Sequence, residues 1–414
     1  MAANSTEILH DFPPIIRIYK DGRVERLTGE DIVPASVDSE TGVQSKDIQI
    51  SPEFDISARL YLPGTTNPGR KLPLLVYFHG GAFLATAFSA KLFSLFSSPM
   101  AANSTEILHD FPPIIRIYKD GRVERLTGED IVPASVDSET GVQSKDIQIS
   151  PEFDISARLY LPGTTNPGRK LPLLVYFHGG AFLVESPFSP SHHNHINSLV
   201  AEANVVVVSV GYRLAPEHPL PIAYEDSWLA LKWVASQSTG DGHVPWIQEN
   251  ADFDHVYLGG DSAGANIAHN MAIRFGLDKL DGINLDGIFL ICPYFWGKDP
   301  IGNENSGLVP KSIVDNLWVF SCPNTTGLDD PLINPSMDLN LSKLGCKKVL
   351  IYVAENDILK ERGYYYKESL MNCGWGGNVD IVEVKGENHV FSVFFPNSEN
   401  GKAMFKRIAL FVNN

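Results

Sequence analysis

Ser262 occupies the middle of Gly260-Asp261-Ser262-Ala263-Gly264, just after the apolar run 255–258 and just before a helical pattern over 265–275. A serine flanked by close glycines on a strand-to-helix turn has its Oγ pushed clear of the backbone while the following amides point inward, which is the geometry of a nucleophile elbow. Small-residue turns also serve plain strand-helix packing, so the pentapeptide takes its weight from its company. A serine hydroxyl attacks at neutral pH only when a base within hydrogen-bond reach takes its proton. His389, in Gly386-Glu387-Asn388-His389-Val390-Phe391, is the candidate base. The imidazole needs a carboxylate to hold its tautomer and stabilise its charged form. Asp357, in Glu355-Asn356-Asp357, is chosen over Glu355 and Asp380, with an acidic cap of the next helix as its other reading. Attack on a carbonyl carbon leaves an anionic oxygen, and preorganised donors aimed at it are worth about 3–4 kcal/mol each. Gly179 and Gly180, in His178-Gly179-Gly180-Ala181-Phe182, let the backbone come close, and with the amide of Ala263 they form the expected oxyanion hole.

These residues meet only if the chain returns them to one edge of a scaffold. Asp120-Gly121 between 114–118 and 123–126 signals a hairpin, and 144–149 with 155–160 make a second alternating pair. Strands are then expected at 173–177, 205–210, 256–258, 287–292, 348–354 and 379–384. Between and after them, helices are expected at 193–203, 224–236, 265–275, 313–320, 363–373 and 402–412. Such alternation predicts a mostly parallel sheet with helices on both faces. Reactive groups in these sheets gather outside the carboxyl ends of the strands, where Ser262, Asp357 and His389 all fall.

The chain also carries a long internal repeat: residues 1–84 recur without change as 100–183, separated by 85–99. Solenoid repeats are shorter, drift in sequence and come in threes or more, so this is a partial duplication of another kind. The first copy ends at His79-Gly80-Gly81-Ala82-Phe83 and runs into a segment with no nucleophile elbow, carboxylate or histidine, whereas the second, opening on Met100, runs into everything else. The complete unit is therefore expected at 100–414, with 1–99 surplus. Two identical segments compete for one place in the sheet, and the copy tethered directly to its neighbours has the higher effective concentration.

Composition fits a compact enzyme, with 43% hydrophobic and 20% charged residues. A net charge of −16 without a basic stripe argues against nucleic acid as a partner and leaves small neutral substrates. The start of the chain lacks a basic and apolar leader pattern, and no apolar stretch reaches membrane-spanning length, so neither secretion nor a membrane partner is expected. Cys292, Cys322, Cys346 and Cys373 are widely spaced without a C-x-x-C pair; free thiols and the cytosol are the expectation. Ser191-His192-His193-Asn194-His195 has the look of a metal cluster but no companion at ligand spacing, and a solvated helix start is expected there.

Four linked stretches carry a resemblance: His178 to Phe182, Tyr212-Arg213-Leu214-Ala215-Pro216-Glu217-His218-Pro219, Gly260 to Asn266, and Asn388-His389-Val390-Phe391. The segment 100–414 resembles the plant carboxylesterases of the hormone-sensitive-lipase-like branch of the α/β-hydrolases. That resemblance implies hydrolysis of small carboxylic esters without metal or cofactor, a triad in the order Ser262, Asp357, His389, and a cap formed in part by 100–126. Ala181 stands where such loops commonly carry a third glycine. Tyr212 to Pro219 is expected to brace the loop beneath the site, and Asp226 to be structural. Phe295, Trp296, Trp318 and Phe320 are candidates for a pocket wall, though aromatics are more often core. Two other classes stay open. Some relatives eliminate water from hydroxyisoflavanones and tolerate threonine at the nucleophile, and related gibberellin receptors keep the serine but lose the histidine.

Overall fold

The computed structural model describes residues 8–12, 16–19, 24–26, 33–39, 41–51, 56–64, 106–164, 168–239, 244–302, 304–305 and 309–414. The chain divides into two compact units, Met1–Thr105 and Glu106–Asn414. The first holds an antiparallel meander of β1 (Ile8–Phe12), β2 (Ile16–Tyr19) and β3 (Val24–Arg26), and a separate hairpin of β4 (Gln44–Ser51) and β5 (Ile56–Leu62). The first copy's His79 to Phe83 and the joining segment 85–99 lie outside the described residues.

The second unit opens on the same meander, β6 (Ile107–Phe111), β7 (Ile115–Tyr118) and β8 (Val123–Arg125). Gly121 turns the hairpin with φ +85°, as a tight connection between twisted strands requires. Eight strands then make the main sheet: β9 (Gln143–Ser150), β10 (Ile155–Leu161), β11 (Leu171–Phe177), β12 (Val206–Gly211), β13 (Ala251–Asp261), β14 (Leu285–Ile291), β15 (Lys348–Ala354) and β16 (Asn378–Val384). Their order is β16-β15-β14-β13-β11-β12-β10-β9. The six strands from β12 to β16 are parallel, and β10 pairs antiparallel with both β12 and β9. Its edge hairpin, β9–β10, comes from the second copy of the repeat.

A parallel strand covered on both faces reads as an unbroken apolar run, and Leu-Pro-Leu-Leu-Val-Tyr-Phe in β11 is one. Its side chains alternate between two cores: Leu173, Val175 and Phe177 enter one, Leu174 and Tyr176 the other. The first core packs under α2 (Ile222–Ser238) and α4 (Ala263–Leu277), the second under α1 (Pro190–Ala203) and α8 (Glu399–Asn413). Chain order reverses at β11, whose neighbours are β12 and β13, so a crevice opens at its carboxyl end.

Most expected elements are present with ends moved by no more than three residues. α1 starts at Pro190, a residue suited to the first helical position because its missing N–H has no partner to lose. β13 departs further, starting at Ala251 rather than Val256, because Leu171 and Pro172 of β11 supply pairing partners for the polar stretch. Periodicity missed β6 and the short helix α3 (Pro245–Asn250), which lack a regular apolar repeat. The remaining helices are α5 (Lys311–Ser321), α6 (Lys360–Asn372) and the one-turn α7 (Phe391–Phe394). All four cysteines are unpaired.

Gly264 lets the first turn of α4 lie on the end of β11, since a Cβ there would stand 1.9 Å from the Phe177 carbonyl oxygen. Gly264→Ala is therefore expected to destabilise the protein by about 3 kcal/mol. Urea unfolding followed by tryptophan fluorescence measures it, and an unchanged midpoint would contradict this packing.

Candidate active site

β13 delivers Asp261 and then turns sharply, so that Ser262 has φ +50° and ψ −114°. Such a backbone persists only when its surroundings over-determine it. Here Ser262 N–H donates to Ile291 O at 2.9 Å, and Ser262 O accepts from Tyr294 N–H at 3.0 Å. A Cβ on Gly260 would stand 2.4 Å from the Gly264 carbonyl carbon, so the two glycines close the turn around the serine. The outcome is a hydroxyl at the mouth of the crevice, 8% exposed.

His389 follows β16, and its ring bridges two partners: Nε2 lies 2.9 Å from Ser262 Oγ and Nδ1 lies 2.7 Å from Asp357 Oδ2. A carboxylate accepts only, so Nδ1 carries the proton and the Nε2 lone pair faces the serine hydroxyl. Asp357 does two things at once. Its Oδ1 accepts Leu359 N–H at 2.9 Å on the way into α6, the capping role, while Oδ2 holds the imidazole. The loops after β15 and β16 are laced together by Glu355 N–H to Val384 O at 3.0 Å and Asn356 N–H to Glu387 O at 3.0 Å. Glu355 and Asp380 lie elsewhere, the first accepting from Lys385 and Gly386 and the second from Arg407. Burial opposes charging of the His389 ring, but Asp357 outweighs it and holds the imidazole well above its ordinary value. Cys292 backs the same ring, and burial raises its thiol pKa, so it stands protonated at neutral pH.

The expected oxyanion hole needs correction at Gly179. Its N–H donates to Asp261 Oδ1 at 3.1 Å, so it is not free to meet an oxyanion. The chain turns away at Gly180, φ +101°, and Ala181, φ +55°. Among the described residues no acceptor takes the amides of Gly180, Ala181 or Ala263. The donor set thus comprises Gly180, Ala263 and, in place of Gly179, Ala181.

The loop that carries these amides is held from several sides. Tyr212 Oη donates to His178 O at 2.7 Å, and its ring stacks on His178 at 4.2 Å. Asp226 accepts from Arg213 N–H at 3.0 Å and from its guanidinium at 2.7 Å, which fixes the Tyr212 to Pro219 turn. Sequence reasoning missed Arg125. Its guanidinium donates to Leu183 O at 2.7 Å, to Ala215 O at 3.2 Å and to Glu217 at 2.6 Å, joining three segments. Ile115 and Ile117 of the meander pack with Leu183, Val184, Ala215 and Leu317, so 107–125 covers the loop after Gly180. No spacing in the chain announces an arginine that acts through backbone carbonyls.

The histidine-rich start of α1 is buried rather than solvated, because that end of the helix lies over β10 and β11. His193 Nδ1 meets Tyr160 Oη at 3.0 Å, His195 Nε2 meets Tyr176 Oη at 3.2 Å, and His192 lies between Glu185 and Asp261. Phe295, Trp296 and Trp318 are core; Phe320 instead packs on Phe111 and His109 of the meander.

Comparison with known proteins agrees with this architecture. A family model described as the alpha/beta hydrolase fold matches residues 174–393. The 2-hydroxyisoflavanone dehydratase of Glycyrrhiza echinata is 47% identical over 325 residues, spanning 76% of this chain and 99% of that protein. Probable carboxylesterase 2 of Arabidopsis thaliana is 47% identical over 316 residues, spanning 76% and 99%. A hyperthermophilic esterase from the archaeon Pyrobaculum calidifontis superposes with a TM-score of 0.56 at 28% identity, covering 65% of this chain and 85% of that one. The chain belongs to the α/β-hydrolase fold family, among the plant carboxylesterases of its hormone-sensitive-lipase-like branch.

The brace on His178 is open to test. Tyr212→Phe keeps the stacked ring and leaves the His178 carbonyl without its hydroxyl donor, and is expected to lower stability by about 1–2 kcal/mol. Thermal unfolding reads this; no change in midpoint would mean that the ring alone holds the loop.

Proposed function

We propose that 100–414 is a serine carboxylesterase that hydrolyses small carboxylic esters through an acyl-enzyme. The observation that carries this is the unbroken hydrogen-bonded chain from Ser262 through His389 to Asp357, beside amides that meet no acceptor among the described residues. His389 Nε2 takes the hydroxyl proton as Ser262 Oγ attacks the ester carbonyl, and Asp357 stabilises the imidazolium. The anionic oxygen is received by the amides of Gly180, Ala181 and Ala263. As the tetrahedral species collapses, the imidazolium returns the proton to the departing alcohol. Water then attacks the acyl group by the same steps, with His389 again the base, and frees Ser262.

A second reading follows from the Glycyrrhiza relative, named for a dehydratase and as similar to this chain as the carboxylesterase is. Elimination needs the base and the oxyanion amides but not a covalent serine, so the hydroxyl of Ser262 favours hydrolysis. A hormone receptor without chemistry is disfavoured by the contact of His389 with Ser262.

Turnover of p-nitrophenyl acetate tests the main reading. Ser262→Ala is expected to lower kcat by about a millionfold; undiminished turnover would sink it, and water elimination from a hydroxyisoflavanone without ester turnover would select the lyase. The base must be neutral to act, so the rate rises with pH through the pKa of His389. Asp357→Asn removes the charge that raises this pKa, so the ascending limb should move to lower pH while kcat falls about ten-thousandfold. Removal of residues 1–99 is expected to leave ester turnover intact, because every proposed catalytic group lies in 100–414; its loss would assign the first copy a part in the site.

A further inference from the structure

Below the elbow and the oxyanion loop lie two buried ionisable groups, Asp261 and His192, and a partly buried one, Glu185, that ester hydrolysis as proposed does not use. Asp261 Oδ1 accepts from Tyr176 Oη at 2.8 Å and from Gly179 N–H at 3.1 Å, and faces His192 Nε2 at 3.2 Å. His192 Nδ1 faces Glu185 Oε2 at 3.2 Å, and that oxygen also accepts from Ser191 Oγ at 2.9 Å. A neutral imidazole donates from one nitrogen only. With a carboxylate at each nitrogen, the doubly protonated ring gives both of its N–H groups an acceptor, while Gly179 N–H, which also lies 3.4 Å from Nε2, donates to Asp261 at 3.1 Å.

The other groups packed around it supply no competing cation. His178 meets the His192 ring edge-on at 5.6 Å, and burial pushes it down to about 4, so it is neutral. His195, on the next turn of α1, is likewise lowered by burial to about 4. Tyr176 and Tyr212 stay protonated, since burial raises both well above the ordinary phenol value. Burial works against a charged His192, but Asp261 and Glu185 overcome it and bring it up to about 9. Burial likewise raises Asp261, but His192 brings it down to about 2.

The network brackets a strained loop. Ala181, Phe182 and Glu185 have φ of +55°, +65° and +70° without being glycine. Left-handed backbone at such residues persists only where the surroundings hold it. Asp261 grips the entry of the loop at Gly179, and Glu185 closes its exit. Among the described residues, only His192 touches both carboxylates.

We infer that His192 is a positioning residue for the hydrolysis, a buried imidazolium strap that ties the residue before the nucleophile to the residue closing the oxyanion loop and so sets the Gly180 and Ala181 amides against Ser262. This rests on the esterase reading above. The sign of its pH dependence follows from the two charges. The stabilisation from His192 is complete below its unfolded pKa of about 6.5 and is lost as pH rises through about 9. That from Asp261 is lost only as pH falls toward about 2.

His192→Gln, neutral and of similar reach, tests the strap. Removal of one oxyanion donor lowers kcat by about 100-fold or more, and misplacing two should do at least that, with KM within about threefold. Affinity for a trifluoromethyl ketone, which forms an oxyanion on Ser262, should fall in parallel. The wild-type rate should decline at alkaline pH near 9, and the variant should lose this limb while keeping the His389 limb. Two readouts do not need ester turnover: the His192 ring nitrogens should titrate near pH 9 by NMR, and amide exchange at 180–184 should quicken in His192→Gln but not in Ser262→Ala. A ring already neutral at pH 7, or loop exchange unchanged in the variant, overturns the inference. A wild-type protein without ester turnover but with both NMR and exchange signatures would overturn the esterase reading and leave the strap in place.

Discussion

The close approach of α4 to the end of β11 is the constraint on which the site depends. Gly264 rests against the Phe177 carbonyl, and Gly260 rests against Gly264. With no side chain between them, the nucleophile turn and the oxyanion loop, 78 or more residues apart in the chain, share one crevice. Every other distance in the site is measured from that contact. A wider gap would carry Ser262 away from the amides of Gly180 and Ala181, and with it the preorganisation from which electrostatic stabilisation derives.

Buried carboxylates hold the site, and each has more than one partner. Asp357 caps the turn into α6 and orients His389; Asp261 accepts from Tyr176 and Gly179 while facing His192. Such groups stay charged inside a protein only when they are paired and hydrogen-bonded, because an unpaired buried charge costs several kcal/mol. Satisfying them therefore orders backbone from separate segments at once. The same logic places Arg125, whose donors reach two carbonyls and a carboxylate.

Much of this is legible in the sequence. Ser262, Asp357 and His389 fall just past apolar runs, and strand ends in a parallel sheet face one crevice, so their meeting follows from topology. What escaped has a common character. The commitment of the Gly179 amide to Asp261, the burial of His192, His193 and His195, and the reach of Arg125 all concern which polar atom meets which. Periodicity is blind to that. Residue type alone argued for water around a histidine-rich helix start, and only the layer of sheet beneath it overrules that argument. The polar half of β13 was missed for a related reason, since pairing with β11 rather than apolarity makes it a strand.

The repeat separates local from tertiary determinants within one chain. β4 with β5 and β9 with β10 carry identical sequences and fold to the same hairpin register, from Gln44 opposite Leu62 and from Gln143 opposite Leu161. Register needs only alternation and a short connection, which the sequence itself contains. Burial differs: Leu60, Tyr61 and Leu62 are 47%, 41% and 48% exposed, whereas Leu159, Tyr160 and Leu161 are 1%, 0% and 7% exposed. The second hairpin has β12 alongside it and helix α1 across its face, and the apolar effect depends on the area that neighbours remove from water. Sequence alone thus determined the strands, the turns and the reactive residue types; the partners that bury a strand, charge a histidine or occupy an amide were decided by tertiary structure, because those energies belong to contacts between distant segments.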